Sequence, residues 1–195
     1  MTADSKPLYI PLILGTPRKG RKSKRCADFV FAALSERDNV KTEFIDVCDL
    51  PLPTDDAGEQ IKIPEFSQKM WDADGLIIVT PEYNHSYPGM LKHALDSNLK
   101  EYIHKAVGLV GVSAGIFGGA RVIEHFLPVL REVGLTAIFT DINFGPVDKI
   151  FDDSGKLLDD AFHKRTAGFL DELIWMSTVL RWGRENVPSP FHKTS

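Results

Sequence analysis

The chain has 195 residues, 43% hydrophobic and 26% charged, with a formal net charge of -4, enough apolar material for one domain with a two-sided core. The acidic balance argues against a nucleic-acid surface, which needs concentrated lysine and arginine, and no apolar run is long enough to span a bilayer. Cys26 and Cys48 are too few and too isolated for a disulfide framework or a zinc site, which fits a reducing cytosol.

The polar start, Met1 to Pro7, lacks the basic region and cleavage site of a secretory signal. Leu8 to Leu14 predicts a first strand, followed by the basic, glycine-bearing turn Gly15 to Ser23. Ser23 to Ser35 predicts a helix, because Cys26, Phe29, Val30, Ala33 and Leu34 recur at helical spacing. Val40 to Val47 alternates as a second strand. Asp49 to Pro64, with three prolines and the carboxylates Asp55, Asp56 and Glu59, reads as a long acidic loop with a solvated rim. A short helix, Glu65 to Asp72, leads to a third, buried strand at Gly75 to Thr80. Further on, Tyr87 to Tyr102 predicts a helix, Ala106 to Ser113 a strand, Gly118 to Val133 a helix and Leu135 to Asn143 a fifth strand. Lys149 to Lys156 reads as a turn or small hairpin, Leu158 to Trp182 as a closing helix, and Val187 to Ser195 as a mobile end. Five strands alternating with helices imply a single α/β domain, a flavodoxin-like three-layer sandwich whose parallel sheet runs in the order 2-1-3-4-5.

In such sheets ligands bind beyond the carboxyl ends of the strands. Three loops fall there. The first, Gly15-Thr16-Pro17-Arg18-Lys19-Gly20-Arg21-Lys22-Ser23, puts glycines, hydroxyls and guanidinium groups at a helix N-terminus, where free amides and the positive dipole end favour an anion. It is not a nucleotide-triphosphate loop, since Arg21 separates Gly20 from Lys22-Ser23. The second, Thr80-Pro81-Glu82-Tyr83-Asn84-His85-Ser86-Tyr87-Pro88-Gly89, carries two aromatic rings and two prolines and suits a flat, partly apolar molecule. Pro81 is expected to leave the amides of Glu82, Tyr83 and Asn84 free for the edge of a heterocycle. The third, Val112-Ser113-Ala114-Gly115-Ile116-Phe117-Gly118-Gly119-Ala120-Arg121, has glycines that let backbone approach a ligand closely. Arg121 is a candidate to pair with an acid across the loops. The six histidines show no metal-ligand spacing, so no metal is expected. Cys48 reads as packed, and Trp175, Leu180 and Trp182 as core or interface.

Together these strings resemble the NAD(P)H-dependent FMN reductase family, the flavodoxin-like quinone reductases. The matching residues are Gly15-Thr16-Pro17-Arg18 with Gly20-Arg21, Thr80 to Asn84 with Pro88-Gly89, Leu91-Lys92 and Ala94-Leu95-Asp96, and Ser113-Ala114-Gly115 with Gly118 to Arg121. Their order covers roughly residues 8 to 182. The resemblance implies FMN as cofactor and NAD(P)H as co-substrate. It assigns Thr16, Arg18, Arg21 and Ser23 to the phosphate, Pro81, Glu82, Tyr83 and Asn84 to the isoalloxazine ring, and Ser113, Ala114 and Gly115 to its other side. It further implies a homodimer or homotetramer, no acid-base pair or nucleophile from the protein, and a small-molecule electron acceptor such as a quinone, azo dye or free flavin. A flavodoxin-type electron carrier and a flavin-binding regulatory protein are the alternatives. Against the carrier, the first loop lacks a hydroxyl-rich phosphate turn.

Overall fold

The computed structural model describes residues 6–53, 62–152 and 154–191. The first strand comes in two pieces, Leu8–Tyr9 (β1) and Leu12–Leu14 (β2), as does the second, Val40–Lys41 (β3) and Phe44–Asp46 (β4). Pro11 marks the break, because it has no N–H for the ladder. Register nevertheless carries through: Leu8 lies opposite Val40 and Leu12 opposite Phe44, and the Ile10 and Leu12 amides donate to the Lys41 and Glu43 carbonyls at 2.9 Å. Gly75–Pro81 (β5) and Lys105–Val112 (β6) are buried along their whole length, as a parallel strand covered on both faces must be.

The fifth strand differs from the single run predicted for residues 135 to 143. It consists of Leu135–Ala137 (β7) and Ile142–Phe144 (β8), both paired with β6. Val107 lies opposite Ala137 and Val110 opposite Ile142, so five steps of this strand match three of β6. The two extra residues leave the ladder as a bulge, and Phe139 within it is 94% exposed. All pairings are parallel, in the order β4-β2-β5-β6-β7, with β8 also on β6. Merged into five lines this is 2-1-3-4-5, the flavodoxin-like order.

Among the described residues five α-helices cover the sheet: Ser23–Ser35 (α1), Pro64–Asp72 (α2), Gly89–Asp96 (α3), Ala120–Glu132 (α4) and Ala161–Asn186 (α5). Leu12, Leu14, Val30, Phe144, Phe169 and Leu173 pack beneath α1 and α5, while Ile13, Phe66, Leu91, Phe126 and Leu130 fill the opposite face beneath α2, α3 and α4. The helix predicted for Tyr87 to Tyr102 stops at Asp96. Buried Ser97 turns its hydroxyl back to the Ala94 carbonyl at 2.7 Å, a local bond that competes with helix continuation, and a separate 3-10 turn follows at Lys100–Tyr102. Helix α4 starts at Ala120 because Gly118 and Gly119 adopt φ of 59° and 88°.

Asp49–Pro53 and residues 62–63 carry no helix or strand, and the expectation for Asp55, Asp56 and Glu59 lies outside the described residues. The expected turn at Lys149 to Lys156 is present as a bridge between Phe151 and Leu157, closed by the Asp152 amide on the Lys156 carbonyl at 3.0 Å. Cys48, expected to be packed, stands exposed, and Trp175 and Trp182, expected in the core or an interface, lie outside the core. At the amino edge of the sheet, Asp74 accepts hydrogen bonds from Arg181 and Arg184 at 3.4 and 2.8 Å. Lys105, 4% exposed, donates to the Met70 and Trp71 carbonyls at 2.5 and 2.6 Å. It thereby supplies a cation to the carboxyl end of α2.

Candidate functional site

The loops after β2, β5 and β6 open on the carboxyl edge of the sheet. The first is anchored before it turns: the Gly15 amide donates to the Val79 carbonyl at 2.8 Å. Thr16 is fully buried, its hydroxyl 2.9 Å from that of Tyr83 and accepting from the Arg18 amide at 3.3 Å. Arg21 donates to the Thr16 carbonyl at 2.6 Å and forms an ion pair with Asp46 at the end of β4. Lys22 pairs with Asp148. Arg18 and Lys19 make no ion pair among the described residues, and the Arg18 guanidinium lies 3.8 Å from the centre of the Tyr83 ring, within cation–π range.

What this turn leaves unsatisfied is as telling. Helix α1 has no side-chain cap and no acidic residue in its first turn. Among the described residues the amides of Gly20, Arg21, Lys22 and Ser23 meet no acceptor, and the Ser23 hydroxyl, on a residue 2% exposed, has no partner. Buried polar atoms are rarely left so. An anion seated at this helix end would satisfy them all.

The second loop is a tight hairpin. Tyr83 and Ser86 exchange backbone hydrogen bonds at 2.8 and 3.0 Å, while Asn84 and His85 both hold positive φ, 50° and 67°. This corrects one expectation, since the Glu82 amide donates to the Val112 carbonyl at 2.8 Å and the Tyr83 amide to Ser86. Of the three amides expected to be free, that of Asn84 alone lacks an acceptor among the described residues. The cause is topological: β5 runs on through Pro81 beside Val112, so its ladder consumes the next donor. Glu82 forms an ion pair with Arg121 across the loops, with the carboxylate side chain 4% exposed.

The third loop is held from the side of β8. The Ser113 amide donates to the Phe144 carbonyl and the Val147 amide to the Ser113 carbonyl, both at 3.0 Å. The Ser113 hydroxyl turns inward to the Gly115 carbonyl at 2.9 Å. Ala114 and Gly115 are exposed, and among the described residues their amides meet no acceptor.

These loops enclose a cleft of about 310 Å³. Arg18, Arg21, Ser23, Pro81, Glu82, Tyr83, Ser113 and Ala114 line it, whereas Thr16, Asn84 and Gly115 stand outside its wall. Thr16 acts from behind, through Tyr83. Sequence reasoning missed Asp46, which takes up the Arg21 charge, and Val147, which with Val112 completes the wall. No local signal marks Asp46, because the pairing depends on β4 lying beside β2. A larger hollow of about 600 Å³ between β4 and α2 sets Asp46, Asp49 and Glu65 against Lys69, the wrong charge balance for a phosphate. Among the described residues no group of three or more histidine, cysteine, aspartate or glutamate side chains could hold a metal.

An anion-seeking turn at one end and a hairpin with an aromatic ring at the other fit a phosphorylated planar molecule. Residues 9–145 match the model of the NADPH-dependent FMN reductase family. The chain is 30% identical to an FMN-dependent NADPH-azoreductase of Staphylococcus haemolyticus, over 84% of this chain and 92% of that protein. It is also 30% identical to a 2-hydroxy-1,4-benzoquinone reductase of a Burkholderia species, over 85% and 93%. Among solved structures, the flavoenzyme NAD(P)H:(acceptor) oxidoreductase FerB from Paracoccus denitrificans superposes with a TM-score of 0.71 at 24% identity, covering 88% of this chain and 98% of that one, which supports the fold. The chain therefore belongs to the NADPH-dependent FMN reductase family, as an oxidoreductase that uses FMN with NAD(P)H as co-substrate.

Proposed function

We propose that the chain passes reducing equivalents from NAD(P)H through FMN to a flat small-molecule acceptor, a quinone, an azo compound or a free flavin. The observation that carries this reading is the cleft itself, where unpartnered donors at the α1 N-terminus stand beside the Tyr83 hairpin and the Ala114-Gly115 amides. Those groups fit FMN. The Gly20 to Ser23 amides, the Ser23 hydroxyl and Arg18 would hold the phosphate, with Arg21 and Thr16 setting the shape of the turn. Pro81 to Asn84 and Ser113 to Gly115 would border the ring system. The bound cofactor supplies the hydride and electron transfer, so the protein's part is to bind, orient and leave room for one flat partner after another.

The reading extends to a homo-oligomer in the cytoplasm. Ile116, Phe117, Phe139, Trp175 and Trp182 are all more than half exposed, the kind of apolar surface that subunit contacts cover, and sedimentation equilibrium should give a dimer or tetramer. The functional test is direct. Purified protein titrated with FMN should bind it stoichiometrically, bleach it on anaerobic addition of NADPH or NADH, and turn over with at least one of menadione, methyl red or excess FMN. Failure to bind FMN, or stoichiometric flavin without turnover on any acceptor, would overturn the proposal.

A further inference from the structure

We propose that Arg121, outside the cleft lining, is a positioning residue: it braces the Asn84-His85 hairpin and thereby sets the affinity of the cleft for FMN. The role rests on the FMN reading above. Arg121 projects from the first turn of α4 and makes two contacts with the second loop, an ion pair with Glu82 and a hydrogen bond to His85 Nε2 at 2.8 Å. A guanidinium only donates, so His85 must accept through Nε2 and carry its proton on Nδ1. The two contacts therefore grip the hairpin at both ends of the Tyr83-Asn84 step.

The hairpin needs such a grip. Two consecutive non-glycine residues at positive φ are strained, and among the described residues the Tyr83–Ser86 bridge is the only backbone pairing within the turn. The buried Glu82 carboxylate has one oxygen on Arg121 and leaves the other without a partner, so its position depends on this one cation. Arg121 also lies over the Phe117 ring at 5.1 Å. One planar side chain thus ties the second loop to the third, on either side of the proposed ring site. A lysine would keep the charge, but its single ammonium lacks the fork that reaches both Glu82 and His85.

Hydrogen exchange on the cofactor-free protein, paired with FMN titration by fluorescence, tests this in R121M, R121K and E82Q/R121M. In wild type the Tyr83 and Ser86 amides should be protected. In R121M they should exchange about tenfold faster or more, while Val110 and Gly111 in β6 stay protected and show that the fold is intact. FMN should bind about tenfold more weakly, and R121K should fall between R121M and wild type in both readouts. E82Q/R121M, which removes the stranded carboxylate, should stay defective because His85 remains unbraced. Unchanged exchange in R121M, unchanged FMN affinity, or recovery of both in the double variant would overturn the proposal. Should R121M not fold, R121K decides by the same two readouts. A wild-type protein that binds no FMN would sink the functional reading instead, and the exchange data would still show whether Arg121 holds the loop.

Discussion

Ser23 and Arg21 sit two residues apart and do opposite work. The Ser23 hydroxyl has no protein partner despite its burial, so its removal costs the apoprotein little. If it meets the FMN phosphate, Ser23→Ala should weaken FMN binding about 10- to 100-fold, the range for a hydrogen bond to a charged group. Riboflavin, which lacks the phosphate, should bind the variant as it binds wild type. An equal loss for both ligands would place Ser23 away from the phosphate. Arg21 is already spent on Asp46 and the Thr16 carbonyl, with side chains 14% and 11% exposed across the ion pair. Arg21→Met should therefore act on stability, lowering it by about 3 kcal/mol through a stranded carboxylate, seen as a lower urea midpoint without ligand. The sequence made both residues candidates through their place in a basic turn. It could not separate them, because the difference lies in which charge β4 brings alongside.

At the scale of elements, the buried strands and the order of loops were legible because burial on both faces writes itself as unbroken apolar runs, such as Gly75 to Val79. The bulge in the fifth strand was not. Leu135 to Asn143 is apolar enough to read as one strand, and only its pairing with β6 shows two residues in excess. The platform under the third loop was equally hidden. A Cβ on Gly145 would stand 2.4 Å from the Gly115 carbonyl oxygen and 2.4 and 2.5 Å from the Gly118 Cα and amide nitrogen, all backbone atoms that cannot swing aside. Gly145→Ala should displace the 113–119 loop, costing about 1–3 kcal/mol of stability together with FMN affinity. Gly168→Ala is the control. Its Cβ meets nothing within 4 Å, and alanine inside α5 should raise stability by up to about 1 kcal/mol. If both substitutions proved neutral in thermal melts, the close contact under the loop would not constrain it.

Considered whole, the molecule separates its two polar centres by the length of the sheet. The carboxyl edge leaves donors unsatisfied for a ligand, whereas the amino edge spends its polar groups on itself, with Asp74 between Arg181 and Arg184, and Lys105 on the last carbonyls of α2. Lys105 opens the buried strand β6, so its charge must be tolerated where the core begins. Burial pushes its ammonium down to about 7, helped by the nearby Arg184 charge and opposed by Asp74. The unfolded chain holds that proton up to about pH 10.4. Between about 7 and 10.4 the unfolded state therefore binds more protons than the native one, and stability attributable to Lys105 rises with pH across that window. Below pH 7 both states are protonated and the cost of burying the ammonium is felt in full. Lys105→Met removes the titrating group and, with it, two hydrogen bonds to the α2 carbonyls. Urea midpoints at pH 7 and pH 9 should therefore rise less in the variant than in wild type, whatever the offset between the two at pH 7. Equal slopes would mean that the two carbonyl bonds hold Lys105 charged throughout, and that this edge of the sheet is indifferent to pH.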